Sequence, residues 1–166
     1  AEVGANDAVK WPVGLGGKGN DGVSAYVKQT PGAIGYVEYA FAKQNNLTFA
    51  QMQNKAGKFV NPDDVNFAAA AANANWKAAP GFYLLLLDQP GDAAWPITAA
   101  TFILVPTKPE DPAKAREVLA FFDWAYKNGD AMAAQLDYLP MPAAVKDLVR
   151  KSWSKITGPD GKPVYK

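Results

Sequence analysis

Residues 10–23 read KWPVGLGGKGNDGV, and five of the last ten residues in this stretch are glycine. The residues just before the glycines, 9–13, predict a short strand. After the glycines, Asn20 or Asp21 can cap a helix that continues to about Thr30. The stretch therefore predicts a strand, a glycine-rich loop and a helix in succession, which is typical of α/β proteins.

The central part of the chain predicts further strands and one more helix. Aromatic and branched residues favour buried strands at residues 33–42 (AIGYVEYAFA) and 94–105 (AWPITAATFILV). Between them, the polar residues 43–58 favour a short strand or hairpin. A helix is expected from residues 61–64 (NPDD) to Trp76, because a capping Asn, a Pro at the first helical position and early acids mark a helix start.

The last third of the chain is predominantly helical by its pattern. Helices are predicted at residues 111–128, 130–136 and 145–156, followed by a loop-like tail at 158–166. Pairs of carboxylates occur at Asp63–Asp64 and Glu110–Asp111, both at predicted helix starts. Because negative charge at a helix start offsets the helix dipole, these pairs favour a capping role over acid–base catalysis.

The predicted strands are too few to complete a sheet. Three or four strands cannot form a doubly wound sheet with covered edges, and an exposed edge invites pairing with another chain. We therefore interpret the chain as α/β, made of parts of sheets whose other strands lie elsewhere.

The composition excludes several classes of site. None of the 166 residues is cysteine or histidine, so disulfides, thiolate metal ligands and the commonest catalytic base are absent, and we expect no metal site. Seventeen basic residues balance 16 acidic ones, so nucleic-acid binding is not expected. The longest apolar run, residues 82–87, is far shorter than the roughly 20 residues of a membrane helix. Residues 1–4 lack the pattern of a signal peptide, so we expect either a cytosolic chain or a processed or internal piece.

The glycine loop leaves alternatives open. Residues 14–19 (GLGGKG) fit G-x-G-x-x-G, and Glu38 follows nineteen residues after Gly19, so a dinucleotide-binding enzyme is one alternative. A Walker phosphate loop is excluded, because Lys18 is followed by glycine and not by serine or threonine. Backbone N–H groups ahead of a helix can bind an anion, although glycines also suit a plain turn. We assign no catalytic residue, and lysine as a base stays open.

Six blocks in a fixed order resemble the periplasmic phosphate-binding proteins of the Pst-type phosphate ABC transporter. The similar blocks are residues 10–23 (KWPVGLGGKGNDGV), 32–40 (GAIGYVEYA), 94–98 with 101–104 (AWPIT and TFIL), 121–126 (FFDWAY), 136–140 (LDYLP) and 161–163 with 165 (GKP and Y). The resemblance spans nearly the whole chain, and the order of the blocks makes it more specific than any one of them.

The resemblance implies the C-terminal half of a type II periplasmic-binding-protein fold, in which parts of two α/β lobes are joined by a crossing strand. Residues 1–91 would complete the second lobe and residues 92–166 the first. The implied function is a non-enzymatic, periplasmic receptor that delivers inorganic phosphate to an ABC permease and uses no cofactor. A related anion-binding or adhesion protein on the same scaffold is a further alternative.

The resemblance carries no phosphate ligand over to this chain. The family holds phosphate with loops of its first half, among them an Arg-x-x-x-Ser-Gly-Thr loop, and the arginines here, Arg116 and Arg150, lie on predicted packing helices. We therefore expect that the chain alone does not bind phosphate. Gly17, Asn20 and Asp21 could line the cleft behind the ligand. The expected partners are the missing N-terminal half or a second copy of the chain.

Overall fold

The computed structural model describes residues 3–6 and 8–165. The last residue of the predicted tail, Lys166, lies outside them. The chain divides into two compact units, Ala1–Phe49 and Ala50–Lys166. Helices are the main regular secondary structure of both units, and the one sheet assigned among the described residues has two strands.

The first unit contains the glycine loop and two helices, α1 (Gly19–Gln29) and α2 (Tyr39–Gln44). Helix α1 confirms the predicted helix, but its N-cap is Lys18 and not Asn20 or Asp21. Gly35 lies directly against α1, where a Cβ atom would come within 2.6 Å of the Val27 side chain. A glycine at this position therefore allows the segment before α2 to approach α1.

Both strands predicted in the first unit are wrong. Residues 9–13 form no strand, and residues 33–42 form an irregular segment followed by α2. Ile34 is 98% exposed, and residues 34–37 make no backbone hydrogen bond to any described residue. A strand requires a neighbour that pairs with its N–H and C=O groups, and the described part of the chain supplies none here.

The second unit begins with a hairpin whose first strand lies in the region 43–58, where a short strand or hairpin was predicted, and whose second strand follows directly after it. Strands β1 (Met52–Gln53) and β2 (Phe59–Val60) are antiparallel, with Met52 opposite Val60. Asn54 is buried in the turn, where its side-chain oxygen accepts hydrogen bonds from the N–H groups of Ala56 and Lys58. Its amide nitrogen donates to the carbonyls of Gly91 (3.3 Å) and Asp92 (2.8 Å), so one side chain fastens the hairpin to a distant turn.

Helix α3 (Asp64–Asn73) follows the hairpin. Its cap is Asp63 and not Asn61, since the Asp63 carboxylate accepts a hydrogen bond of 2.9 Å from the Asn66 N–H. The helix ends before Trp76, which lies in a short 3₁₀ turn (Trp76–Ala78) and donates its indole N–H to the Ala71 carbonyl. A first core cluster forms around this turn from Ala71, Trp76, Leu86 and Val145.

The strand predicted at residues 94–105 is wrong as well. One isolated antiparallel bridge joins Leu87 to Ile97, and residues 101–105 make no backbone hydrogen bond to any described residue. Leu104 is 92% exposed. The apolar pattern that favours a buried strand is present, but the described chain provides no partner strand for most of its length.

The predicted C-terminal helices are confirmed as α4 (Pro112–Asn128), α5 (Asp130–Gln135) and α6 (Ala143–Ser152). Asp111 caps α4 by accepting a hydrogen bond of 3.0 Å from the Lys114 N–H, as its position before Pro112 predicted. A second core cluster joins α4 to the 3₁₀ turn after α6 and consists of Leu119, Trp153 and Ile156, with Phe122, Tyr126 and Tyr165 packed against it.

Candidate functional site

The glycine loop ends in a tight start to α1. Gly19, the first helical residue, has a positive φ of 64°. Gly17 approaches the helix so closely that a Cβ atom there would lie 2.5 Å from the backbone nitrogen of Val23. Both positions require glycine, the first for its backbone angle and the second for space. The glycines therefore shape this helix start, whatever binds there.

The loop places the three sequence-predicted residues at one end of α1. Gly17 packs against the helix backbone, and the Asn20 side chain accepts a hydrogen bond of 3.0 Å from the Glu38 N–H. Asp21 is exposed in the first helical turn. Lys18 makes no side-chain cap. The N–H groups of residues 19–21 have no backbone partner among the described residues.

Such a helix start can bind an anion through its N–H groups and its positive dipole. Asp21 opposes that binding with a negative charge at the same end of the helix. The geometry therefore does not make this helix start a complete anion site by itself.

The structural context of a dinucleotide fingerprint is not present around this loop. That motif needs a strand before the glycines and an acid at the end of the next strand. Residues 9–13 form no strand, and Glu38 is the N-cap of α2.

A polar cluster that the sequence did not predict lies between α4, α6 and the C-terminal tail. Asp123, which is 8% exposed, forms its centre. Its carboxylate accepts hydrogen bonds from Arg150 Nε (2.8 Å), Lys127 Nζ (2.5 Å) and the Tyr165 hydroxyl (3.0 Å). We call these four residues the Asp123 cluster. Its members come from sequence positions up to 42 residues apart, so no local motif could have shown it.

The electrostatics of this cluster favour an ionised carboxylate. The hydrogen bond from Lys127 lowers the pKa of Asp123, and the hydroxyl of Tyr165 and the charge of Arg150 act in the same direction, whereas burial opposes them. The pKa of Tyr165 is raised by desolvation and by its bond to the same carboxylate. A shallow cavity of about 390 Å³ adjoins the cluster. The Lys127 and Arg150 cations are already paired with Asp123. The cluster therefore stabilises the packing of α4, α6 and the C-terminal tail and is not an obvious ligand site.

The two arginines are placed differently, and Arg150 is already paired with Asp123 through its Nε. Arg150 also lies over the ring of Tyr126, 5.8 Å from its centroid, and 3.7 Å from the Asp147 carboxylate. Arg116 is exposed on α4 beside the tail residue Tyr165. Among residues 3–6 and 8–165, no group of three acidic side chains could hold a metal ion. Within the same residues, no helix is long and apolar enough to span a membrane.

Comparison with known proteins gives one consistent result. No family model matches the chain. The chain is 49% identical over 164 residues to "Phosphate-binding protein PstS" of Pasteurella multocida, and the aligned region covers 98% of this chain and 48% of that protein. The protein of the same name in Haemophilus influenzae is 47% identical over 92% of this chain and 46% of its own length. That in Xylella fastidiosa (strain Temecula1) is 44% identical, over 92% of this chain and 42% of its own length.

The chain thus spans about half the length of the curated relatives it matches. The resemblance drawn from six sequence blocks is confirmed along nearly all of it. Homology to these proteins implies a periplasmic-binding-protein fold, and the helices with their small sheet are compatible with an α/β part of one.

Proposed function

We propose, from the homology of this chain to the PstS phosphate-binding proteins, that it is part of a receptor that binds inorganic phosphate and delivers it to an ABC permease. The observation that carries this proposal is the 49% identity to a phosphate-binding protein across 98% of the chain. Identity at this level over the whole chain is far more specific than the glycine loop, which many unrelated proteins share. The relatives are named as binding proteins, which favours a role without catalysis. The periplasmic location is proposed from the resemblance of the six sequence blocks.

The proposed receptor has the type II arrangement of two α/β lobes, of which this chain is the C-terminal half. Residues 1–91 would complete the second lobe, and residues 92–166 would return to the first through a crossing strand at 94–105. Two observations support incomplete lobes. The chain matches about half of each relative, and two apolar segments predicted as strands have no partner strand among the described residues.

The phosphate ligands are proposed to lie in the part of the receptor outside this chain. Arg150 is committed to Asp123, and the start of α1 offers N–H groups beside the opposing charge of Asp21. In the whole receptor, Gly17, Asn20 and Asp21 would line the cleft behind the phosphate. The chain alone would then bind phosphate weakly or not at all, and would associate with the missing half or with a second copy.

Isothermal titration calorimetry with inorganic phosphate tests these proposals on two polypeptides. The first is the 166-residue chain alone, and the second is the chain joined to the remaining part of the Pasteurella multocida relative. We expect micromolar or tighter binding by the joined polypeptide and none in that range by the chain alone. Failure of the joined, folded polypeptide to bind phosphate would contradict the receptor function. Micromolar binding by the chain alone would contradict the proposal that the groups that bind phosphate lie outside this chain.

The dinucleotide alternative is tested with the same chain. Titration with NADH, followed by the fluorescence of the nicotinamide ring, should show no saturable binding. Saturation at micromolar NADH would favour an enzyme that uses residues 14–19 in place of the receptor.

A further inference from the structure

The residues that follow the last 3₁₀ turn fold back on themselves. An isolated antiparallel bridge joins Thr157 to Pro163, and the Gly158 N–H donates a hydrogen bond of 2.9 Å to the Lys162 carbonyl. These bonds close a short turn, so this part of the tail has a defined shape of its own. We call residues 157–165 the strap.

The start of the strap is fastened to the segment that precedes α4. The Thr157 N–H donates a hydrogen bond of 2.9 Å to the Thr107 carbonyl. Among the described residues, this is the one hydrogen bond that the backbone of residues 99–110 makes with other backbone groups. Val105 packs close by on the second core cluster. The strap therefore holds the end of residues 94–105, the proposed crossing segment.

The other end of the strap is fastened to α4. The Tyr165 hydroxyl donates a hydrogen bond of 3.0 Å to the carboxylate of Asp123, which is 8% exposed. The Tyr165 ring also packs edge-on against Trp153, with the ring centroids 5.6 Å apart. Hydrogen bonds to a charged acceptor are stronger than those between neutral groups, so this carboxylate is a firm point of attachment.

The crossing segment depends on such anchors because its second half has few contacts of its own. Its beginning is held, since the Asp88 N–H donates a hydrogen bond of 2.9 Å to the Pro96 carbonyl. Leu104 near its end is 92% exposed. A stretch with few buried contacts and few hydrogen bonds opens easily, and fixing both of its ends limits the conformations it can adopt.

We infer that the strap fixes the end of the crossing segment and thereby supports the phosphate affinity of the receptor, with Tyr165 as the positioning residue that fastens it. This inference rests on the proposed function, in which the crossing segment joins the two lobes. It adds a control element outside the phosphate cleft. If the end of the segment is loose, fewer molecules hold the binding-competent arrangement, and the apparent Kd rises by the inverse of that fraction.

A spin label on the chain alone tests the anchor. The chain contains no cysteine, so a nitroxide on Leu104→Cys is the single label. Thr157→Pro removes the N–H that binds Thr107, and Ile156 already has the extended backbone (φ −88°, ψ 106°) that a residue before proline favours. Thr157→Ala is the matched control, because it keeps the N–H.

Electron paramagnetic resonance measures the mobility of the label. Its rotational correlation time should be at least about twofold shorter with Thr157→Pro than with Thr157→Ala. A label on Val65→Cys, which is exposed on α3, should be unaffected by either variant. Equal mobility of the Leu104→Cys label in the two variants would overturn the inference. So would a change at both labelled sites, because the effect would then be general unfolding.

A second variant tests the fastening residue without touching the backbone. Tyr165→Phe removes the hydroxyl that binds Asp123 and should mobilise the Leu104→Cys label in the same direction. Tyr26→Phe, which removes a hydroxyl from the exposed side of α1, should not. A label that is equally mobile in these two variants would show that Tyr165 does not fasten the strap.

Phosphate calorimetry on the joined polypeptide tests the effect on binding. Thr157→Pro should raise the Kd about 3- to 10-fold above that of Thr157→Ala. A lower thermal stability with an unchanged Kd would indicate a structural role alone and would contradict the inference. If the joined polypeptide without substitutions does not bind phosphate, the receptor function fails, whereas the anchoring of the segment is still decided by the label on the chain alone.

Discussion

Replacing Asp123 by asparagine should destabilise the second unit by about 2 kcal/mol at pH 7. The estimate follows from the three groups that the carboxylate holds. Breaking a fully buried ion pair costs about 3–5 kcal/mol, and an exposed pair contributes about 0–1 kcal/mol. Asp123 is nearly buried, but the Arg150 side chain is 28% exposed and the Lys127 side chain 62% exposed, so the expected loss lies between these limits.

The loss should also depend on pH. Hydrogen bonding from Lys127 lowers the pKa of Asp123 in the folded state. A carboxyl group with a lowered folded pKa contributes stability above its unfolded pKa, about 3.9 for Asp, and loses that contribution as the pH falls through the folded pKa. The difference between the original chain and Asp123→Asn should therefore be complete at pH 7 and shrink progressively below about pH 4.

Urea unfolding followed by tryptophan fluorescence, at one fixed protein concentration, measures the effect. Asp147→Asn is the matched control, since that carboxylate lies 3.7 Å from the same arginine but is 64% exposed. We expect the control to cost less than about 0.5 kcal/mol. Equal losses for the two variants at pH 7, or a loss for Asp123→Asn that is the same at pH 3 and pH 7, would refute the reasoning.

Two further substitutions test other contacts. Asn54→Ala should cost about 2–3 kcal/mol in urea unfolding, because it removes the side-chain partner of four backbone groups, of which the Gly91 carbonyl alone keeps another backbone partner among the described residues. The exposed Asn61→Ala should cost far less, and comparable losses would contradict this. Gly17→Ala should reduce the helical circular dichroism and thermal stability of the first unit, because the new methyl group would lie 2.5 Å from the Val23 nitrogen. At Gly16, an added Cβ atom meets nothing within 4 Å, so Gly16→Ala should leave the circular dichroism and the thermal stability unchanged. Equal effects at the two positions would argue against the close packing of the loop.

Most helices were predictable from the sequence because their information is local, although α2 begins in a segment that was predicted as a strand. Asp111, Pro112 and Gly129 mark the two ends of α4, and the structure places its cap and its end at these residues. Helix α1 was predicted within a few residues, although Lys18 and not Asn20 precedes its first turn. A helix satisfies its own backbone hydrogen bonds, so the residues that form it also contain most of the signal.

The candidate site was predictable in part. The sequence predicted the glycine loop and a helix start that includes Gly17, Asn20 and Asp21, and the structure has these residues at the start of α1. The hydrogen bond from the Glu38 N–H to Asn20 was not predictable, because it depends on how the segment before α2 packs on α1. Whether these residues line a phosphate cleft stays a prediction.

The sequence by itself determined most of the helices, the absence of cysteine and histidine chemistry, and the resemblance to phosphate-binding proteins. Only the tertiary structure decided the fate of residues 33–42 and 94–105, because a strand forms its hydrogen bonds with another segment and not with itself. It also decided the role of Asp123, which the sequence presents as one polar residue in an aromatic helix. Its partners Arg150 and Tyr165 follow 27 and 42 residues later, and packing alone brings them to one carboxylate.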